Sequence, residues 1–217
     1  MLKITIMFYF RLNKVKILKN RELLGKAEIQ FISFITSGES DFPMLNDFYN
    51  SNDDQVKNEL IKQAVSKLVS SRVMPPMQKI KDRRMIFFGN HGYIVYKSDE
   101  IPQDFNWMLM AVESDGRTRS NAELLSSILT EKNITSITAT IATLASLTNP
   151  VSAAITTIST FVAEALTKVF KNDKDDQVGL LITSFIEKKD YPFGKLDDQD
   201  VEDATGNMAV DYTIFSF

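Results

Sequence analysis

Hydrophobic and polar residues alternate along eight short runs of this chain. Because successive side chains of an extended chain point to opposite faces, each run predicts a β-strand with one buried face. Several strands of this length, separated by loops without repeats, favour an antiparallel sandwich over a parallel sheet covered by helices. The predicted strands are 2–10, 15–18, 27–36, 85–88, 93–96, 105–113, 177–186 and 208–217.

One pair of these runs is separated by a turn signal. The sequence FFGNHGYIVY (87–96) places glycine and asparagine between two apolar runs. These residues tolerate the positive φ angles that a tight turn requires. The sequence therefore predicts a β-hairpin, with the single histidine, His91, exposed in its turn.

A period of 3.6 residues replaces the alternation at 54–72, which predicts a helix. Pro75 and Pro76 follow and end it, because proline lacks the backbone donor and disfavours a helical residue before it. One helix face is expected to pack on the sandwich. That face consists of Val56, Leu60, Ala64, Leu68 and Val69.

A helical insertion is predicted at 117–171. Ser120 and Glu123 have the spacing of a capping box, Asn133 is placed as the cap of a second helix, and Pro150 opens a third. The second and third helices each carry one apolar stripe, and the two stripes are expected to face each other in a hairpin. The stripes are Ile134, Ile137, Ile141, Leu144 and Leu147, and Val151, Ile155, Ile158, Val162, Leu166 and Val169.

This hairpin contains no charged residue over 133–163. Serine and threonine occupy 12 of these 31 positions, which favours a water-soluble hairpin with a hydroxyl-rich outer face. The alternatives are a hairpin that leaves the sandwich to enter a bilayer, or one that associates with copies of itself. Solvated helices usually carry lysine and glutamate, so an uncharged face is a candidate surface for self-association or a protein partner.

Two acidic segments flank the insertion, VESDGRT (112–118) and DDQVGLLI (175–182). Together they resemble the C2 domain, in which a strand ending in spaced aspartates precedes a strand that opens with aspartate and glycine. The segments VKILKNRELLGKAEIQFISF (15–34) and GNMAVDYTIFSF (206–217) are similar to its first hairpin and last strand. The resemblance implies one C2-like domain over 1–217, an antiparallel eight-stranded β-sandwich that contains both the 54–72 helix and the 117–171 insertion.

The same resemblance implies a calcium site at one end of the sandwich. The first loop departs from the calcium-binding pattern, because Lys19, Arg21 and Lys26 lie beside its two glutamates and oppose a cation. The alternative is that the aspartates cap turns. A second acidic segment, 195–207, is expected to be a solvated loop. The candidate metal ligands are Glu113, Asp115, Asp173, Asp175 and Asp176.

Composition narrows the functional classes. The net charge of -3 disfavours nucleic acid as a partner, and the absence of cysteine excludes thiolate zinc sites and cysteine nucleophiles. No recognised catalytic motif is present, so an enzyme is not expected. The first ten residues are not followed by a cleavage site, which indicates a cytoplasmic protein or export by a leaderless route.

The sequence therefore predicts a non-enzymatic binding or assembly module with calcium as a candidate cofactor. Its expected partner is a membrane surface, another protein or a second copy through 133–163. The alternatives are a membrane-permeabilising effector or toxin whose hairpin inserts, and a structural subunit of a larger bacterial or viral assembly.

Overall fold

The computed structural model describes residues 6–20, 27–37, 42–69, 72–74, 77–113, 121–172 and 177–217. These residues form ten strands in two antiparallel sheets, together with six α-helices. The strands are β1 Phe8–Ile17, β2 Ala27–Ser37, β3 Arg72–Val73, β4 Met77–Ile80, β5 Arg84–Phe87, β6 Tyr93–Ser98, β7 Asp104–Glu113, β8 Gln177–Ile186, β9 Leu196–Glu202 and β10 Met208–Ser216. The helices are α1 Pro43–Asn50, α2 Asp54–Val69, α3 Asn121–Ile128, α4 Glu131–Ala142, α5 Pro150–Asn172 and α6 Glu187–Asp190.

Each sheet contains five of these strands. In sheet one, β10 lies between β1 and the edge strand β9, while β5 and β6 both pair with the other side of β1. In sheet two, β7 lies between β2 and the edge strand β8, while β3 and β4 pair with β2. The prediction of antiparallel strands with helices between them is confirmed, but helices are as extensive as strands in the described residues, and the predicted number of eight strands is wrong.

The predicted hairpin between β5 and β6 is not formed. Residues 84–87 pair with Ile17 to Lys14, and residues 93–98 pair with Leu12 to Phe8, so both strands run antiparallel to β1 along the same side of it. The two strands are thus one interrupted strand, and residues 88–92, which include the exposed His91, bulge from it. The glycines serve this bulge, since Gly89 and Gly92 have φ angles of 69° and 68°.

The acidic segment predicted as a solvated loop is largely a strand. Residues Leu196–Glu202 form β9, which pairs with β10 as the edge of sheet one. Acidic side chains suit an edge strand because they discourage pairing with another chain. The loop was predicted from the high acidic content of the segment. In the structure, Leu196, Asp198 and Val201 are partly buried and the other residues of β9 are exposed.

Aromatic side chains from both sheets contact one another in a shared core. The ring centroids of Phe10 in β1 and Trp107 in β7 are 4.7 Å apart, and those of Phe8 and Phe105 are 5.9 Å apart. Trp107 Nε1 donates a hydrogen bond to Ser33 Oγ at 2.9 Å, which satisfies its buried donor. Buried residues of both sheets therefore belong to one hydrophobic cluster.

The helices cover the opposite face of sheet two. Ile32, Phe34, Met108, Met110 and Val112 form a second core with residues of α1 to α5. β7 is consequently buried on both faces, which explains why its sequence is almost continuously apolar. Removing the helical layer would leave this face of the sheet uncovered.

The buried face of α2 agrees with the predicted one at Ala64 and Leu68, and Leu60 is partly buried against the same core, but Val56 is not part of it. Val56 is 46% exposed, and the helix ends at Val69, before Arg72, which belongs to β3. Contact with α1, α4 and β2 buries Ile61 and Val65, which the prediction did not include. The buried residues are Ile61, Ala64, Val65 and Leu68.

The cap of α4 is Thr130, three residues before the predicted Asn133. The Thr130 side chain accepts from the Asn133 backbone N–H at 3.3 Å, while Asn133 Nδ2 donates to the Ile128 carbonyl at 3.0 Å. The predicted stripe ends early, because a 3₁₀ turn at Thr143–Ser146 leaves Leu147 49% exposed. The start of the next helix at Pro150 agrees with the prediction.

Within the described ranges, Pro150–Lys168 of α5 is long and apolar enough to cross a membrane, and 39% of that window is buried inside the protein. Its buried positions follow the predicted stripe, from Val151 to Leu166. The side chains that give the helix its apolar character are therefore largely those of the second core.

Candidate functional site

A groove of about 470 Å³ lies between helix α5 and the helix-facing side of sheet two. β2, β7 and β8 supply its floor, and residues from Thr156 to Lys168 of α5 supply its wall. The twelve steps from Thr156 to Lys168 correspond to a helix length of about 18 Å. The groove lies beside the edge strand β8.

An apolar row crosses the floor. Phe34, Met108 and Ile182 are successive register partners on β2, β7 and β8, and all three line the groove. Phe34 and Met108 are buried, but Ile182 is 56% exposed. A large aliphatic side chain left open on a groove floor is a surface on which an apolar ligand gains contact.

A polar row lies next to the apolar one. Thr36, Asn106 and Ser184 are also register partners across the three strands, and they too line the groove. The Ser184 hydroxyl and Asn106 Oδ1 are hydrogen bonded, with Ser184 as donor. One end of the floor is therefore polar while the adjoining part is apolar.

Thr36 differs from the other two polar residues. Its side chain is only 4% exposed, and Oγ1 has no hydrogen-bond partner within the described structure. A buried hydroxyl without a partner is unfavourable, so such groups are uncommon in folded proteins. This hydroxyl therefore marks a position where a ligand could supply the missing partner.

The α5 wall presents hydroxyl groups whose protons are mostly used within the helix. Thr156 donates to the Ser152 carbonyl at 3.1 Å, Ser159 to the Ile155 carbonyl at 2.8 Å and Thr167 to the Ala163 carbonyl at 2.9 Å. These bonds satisfy the donors of the three hydroxyl groups within the helix itself. The wall is consequently less polar than its sequence indicates.

Two charged side chains complete the wall, Glu164 and Lys168. Both are exposed, and they lie one helical turn apart on α5. Thr167 Oγ1 lies 3.4 Å from Gln177 Oε1 at the start of β8, so this charged end of α5 lies away from Ser184. The charged and polar ends of the groove are separated by its apolar middle.

Of the five predicted metal ligands, the structure describes only Glu113. Its side chain is 5% exposed at the end of β7, where it is the register partner of Ile29. Asp115, Asp173, Asp175 and Asp176 lie outside the described residues. Val112 is the register partner of Gln177, so the end of β7 and the start of β8 lie at the same end of sheet two. Among the described residues, no group of three or more His, Asp or Glu side chains could hold a metal ion.

Asp203, in the second acidic segment, is an acceptor that organises a turn. Its carboxylate accepts from the Leu180 N–H at 2.6 Å, the Thr205 hydroxyl at 2.6 Å, the Asn207 N–H at 3.0 Å and the Met208 N–H at 2.9 Å. The side chain is 7% exposed. It thereby joins the β9–β10 turn of sheet one to the edge strand of sheet two.

Asn207 extends the same connection. Its Nδ2 donates to the Val178 carbonyl at 2.6 Å and to the Lys19 carbonyl at 2.9 Å. Gly179 allows the close approach, since a Cβ there would lie 2.7 Å from Met208 Cβ. This part of the acidic segment therefore stabilises the contact between the sheets.

The sequence contains a signal for the groove that strand periodicity alone did not reveal. Polar residues interrupt three apolar strands at Thr36, Asn106 and Ser184. Only the register shows that the three positions form one row, because alternation predicts the face of a side chain but not its neighbour.

No protein-family model matches this chain, and no curated protein matches it. A solved structure described as "Structure of Drosophila C2-DSL-EGF1" aligns with 97% of this chain and 67% of its own. The aligned residues are 8% identical and the TM-score is 0.34. A similarity at this level does not establish a shared fold.

Proposed function

We propose that this chain is a non-enzymatic binding module that takes an apolar ligand into the groove between α5 and β8. The observation that carries the proposal is the groove itself, about 470 Å³ and open beside a half-exposed Ile182. Its volume lies in the usual range of ligand pockets, and its apolar floor with a few polar groups is typical of them. The single histidine, His91, lies in the bulge between β5 and β6 and does not line the groove.

We further propose a C2-like sandwich as the scaffold of this module. The ring contacts between Phe10 and Trp107 and between Phe8 and Phe105 support a face-to-face arrangement of the two antiparallel sheets. The helical layer then lies on the outer face of sheet two. A scaffold of this kind holds the groove floor rigid, because three paired strands fix the positions of its side chains.

Binding is tested with dodecane, delivered from cyclodextrin and followed by thermal unfolding and native mass spectrometry. A ligand that binds only the folded state raises the unfolding midpoint. Thr160→Phe places a ring at the exposed groove wall and is expected to abolish the shift. Thr135→Phe, at an exposed position of α4 outside the groove lining, is the matched control and is expected to keep it. Absence of binding to the natural protein, or equal binding to Thr160→Phe, would count against the proposal.

The module is also proposed to associate with a membrane surface or a protein partner through the outer face of 133–163. Thr135, Ser136, Ala139 and Thr140 of α4 are exposed and uncharged, which supports this part of the proposal. Deleting the hairpin would uncover sheet two, so charge substitution is the cleaner test. Ala139→Glu combined with Thr140→Lys should abolish self-association in sedimentation and membrane association in liposome flotation, while the unfolding midpoint stays the same. Unchanged association would overturn this part.

Calcium remains a proposed cofactor through Glu113, Asp115, Asp173, Asp175 and Asp176. Its test is a calcium titration followed by thermal unfolding, since a cation bound only to the folded state must raise the midpoint. A matched Glu113→Gln variant should lose the increase. If the midpoint of the natural protein does not respond, calcium is excluded from the proposal.

The alternative of a hairpin that enters a bilayer is favoured by the length and apolar character of Pro150–Lys168. It is opposed by the packing, because release of the hairpin would expose Phe34, Met108 and Met110 to water. Dye release from liposomes separates the two functions, since a binding module causes none.

A further inference from the structure

We propose that the ligand of this groove is a neutral single-chain aliphatic ester. Its chain lies over the Phe34–Met108–Ile182 row, and its carbonyl oxygen lies at the Thr36–Asn106–Ser184 row. The inference rests on the function proposed above, because it names the ligand class of that same groove.

The position of the carbonyl follows from the donors at the polar row. Thr36 Oγ1 has no partner within the described structure although its side chain is 4% exposed. Ser184 donates to Asn106 Oδ1, which leaves the Asn106 amide N–H groups as donors at the same row. Thr36 and Asn106 are register partners, so their Cβ atoms lie about 5 Å apart on one face of the sheet. Two neighbouring donors suit one acceptor oxygen.

The aliphatic chain follows from the shape and lining of the groove. The wall from Thr156 to Lys168 extends about 18 Å along α5, which gives room for an extended chain. Met108, Leu180 and Ile182 on the floor and Val162 on the wall are aliphatic, with Phe34 beside them. An extended hydrocarbon chain would cover Ile182, which is 56% exposed.

The neutral head follows from the charges of the lining. Glu164 and Lys168 are the charged residues that line the groove in the described structure, and their charges oppose each other one turn apart on α5. Neither belongs to the end with Ser184, because Thr167 places that part of α5 near Gln177. A carboxylate at the polar row would lose water without gaining a cation, which is unfavourable.

The experiment compares methyl dodecanoate, dodecanoate and dodecane as ligands of the natural protein. All three are measured by displacement of a groove-bound fluorescent hydrocarbon, with delivery from cyclodextrin. Methyl dodecanoate is expected to bind about tenfold more tightly than dodecane, the effect of one to two net hydrogen bonds. Dodecanoate is expected to bind more weakly than the ester.

Thr36→Val is the diagnostic variant and Thr138→Val is its matched control. Both substitutions replace a buried hydroxyl without a partner, but Thr138 belongs to α4 and does not line the groove. Thr36→Val should remove most of the preference for ester over dodecane while dodecane affinity stays the same. Thr138→Val should leave both affinities unchanged.

The outcomes separate this inference from the proposed function. If no ligand binds, the proposed function fails as well. If dodecane binds but the ester gains nothing, or if Thr36→Val weakens both ligands equally, the groove is a binding site and the ester assignment is overturned. Tighter binding of dodecanoate than of the ester would overturn the neutral head.

Discussion

At the scale of single residues, Thr36 and Thr138 share one unusual property but lie in different parts of the fold. Each has a buried side-chain oxygen without a hydrogen-bond partner in the described structure. Thr36 lines the groove, whereas Thr138 faces the core from α4. The proposed ligand would supply the missing partner at Thr36, while nothing in the structure explains the unsatisfied hydroxyl at Thr138.

Thr36→Val is therefore expected to stabilise the protein although it weakens ester binding. Replacing an unpartnered hydroxyl by a methyl group of similar size should raise the free energy of unfolding by about 1 to 2 kcal/mol. Urea unfolding of the ligand-free protein measures the change, with Thr138→Val as the parallel case. A loss of stability in Thr36→Val would show that its hydroxyl has a partner.

Asp203 is a residue whose role depends on the number of donors it accepts. Asp203→Asn presents an amide nitrogen to two of the four donors around the carboxylate, and we expect a loss of about 2 to 3 kcal/mol in the free energy of unfolding. Asp197→Asn is the control, because Asp197 is exposed and accepts from Thr213 Oγ1 at 3.1 Å. Equal effects of the two variants in urea unfolding would contradict the structural role of Asp203.

At the scale of elements, β5 and β6 show how a turn signal is misassigned. Glycine at positive φ serves a bulge as well as a hairpin, and the choice between them depends on the pairing with β1. Neither Gly89 nor Gly92 could distinguish these structures in the sequence. The contacts around the two glycines nevertheless differ.

Gly92→Ala is expected to destabilise the protein more than Gly89→Ala. Both substitutions place a Cβ at positive φ, which costs about 1 to 2 kcal/mol. A Cβ at position 89 would meet nothing within 4 Å, whereas one at position 92 would lie 2.5 Å from Arg11 Cγ. Thermal unfolding of the two variants under identical conditions measures the difference. Equal losses would indicate that the bulge moves away from β1 without cost.

The helices show that a local signal predicts one boundary and fails at another, since Pro150 begins α5 as predicted whereas Thr130, and not Asn133, caps α4. Pro150 begins α5 as the sequence predicts, since its missing N–H is unused in a first turn. The buried face of α2 was predicted only in part, because Ala64 and Leu68 are buried as predicted while Val56 is exposed and Ile61 and Val65 are buried. Capping is a local property, whereas burial depends on which element packs against the helix.

At the scale of the whole molecule, proton binding by buried groups links stability to alkaline pH. Burial raises the pKa of Tyr191 and Tyr212 well above the ordinary value near 10, with carboxylates close to both rings as a further cause. Burial also raises the pKa of Tyr49. Hydrogen bonding to Asp211 raises the pKa of Lys14 above 10.5. All these groups hold a proton more tightly in the folded state.

Stability is therefore expected to be constant up to the unfolded-state pKa and to fall as pH rises through it. A folded-state pKa above the unfolded value means that the unfolded chain releases protons first, which favours unfolding at about pH 10 and above. Urea midpoints from about pH 8 to about pH 11 measure the decline. The double variant Tyr191→Phe and Tyr212→Phe should show a shallower decline. The difference in tyrosinate absorbance between the natural protein and this variant isolates the two rings and should appear together with unfolding; its appearance well before unfolding would contradict this prediction.

The sequence by itself determined the local elements, namely the strands with alternating burial, the helix start at Pro150 and the absence of thiol chemistry. These properties depend on spacing and residue type over a few positions. Only the tertiary structure decided that 84–98 is one interrupted strand, that 196–202 pairs as an edge and that Thr36, Asn106 and Ser184 form one row. Periodicity assigns each side chain to a face, but strand neighbours, register and the covering layer arise from contacts between residues far apart in the chain. The groove follows from all three, because it forms where helix α5 leaves part of an otherwise covered sheet face open.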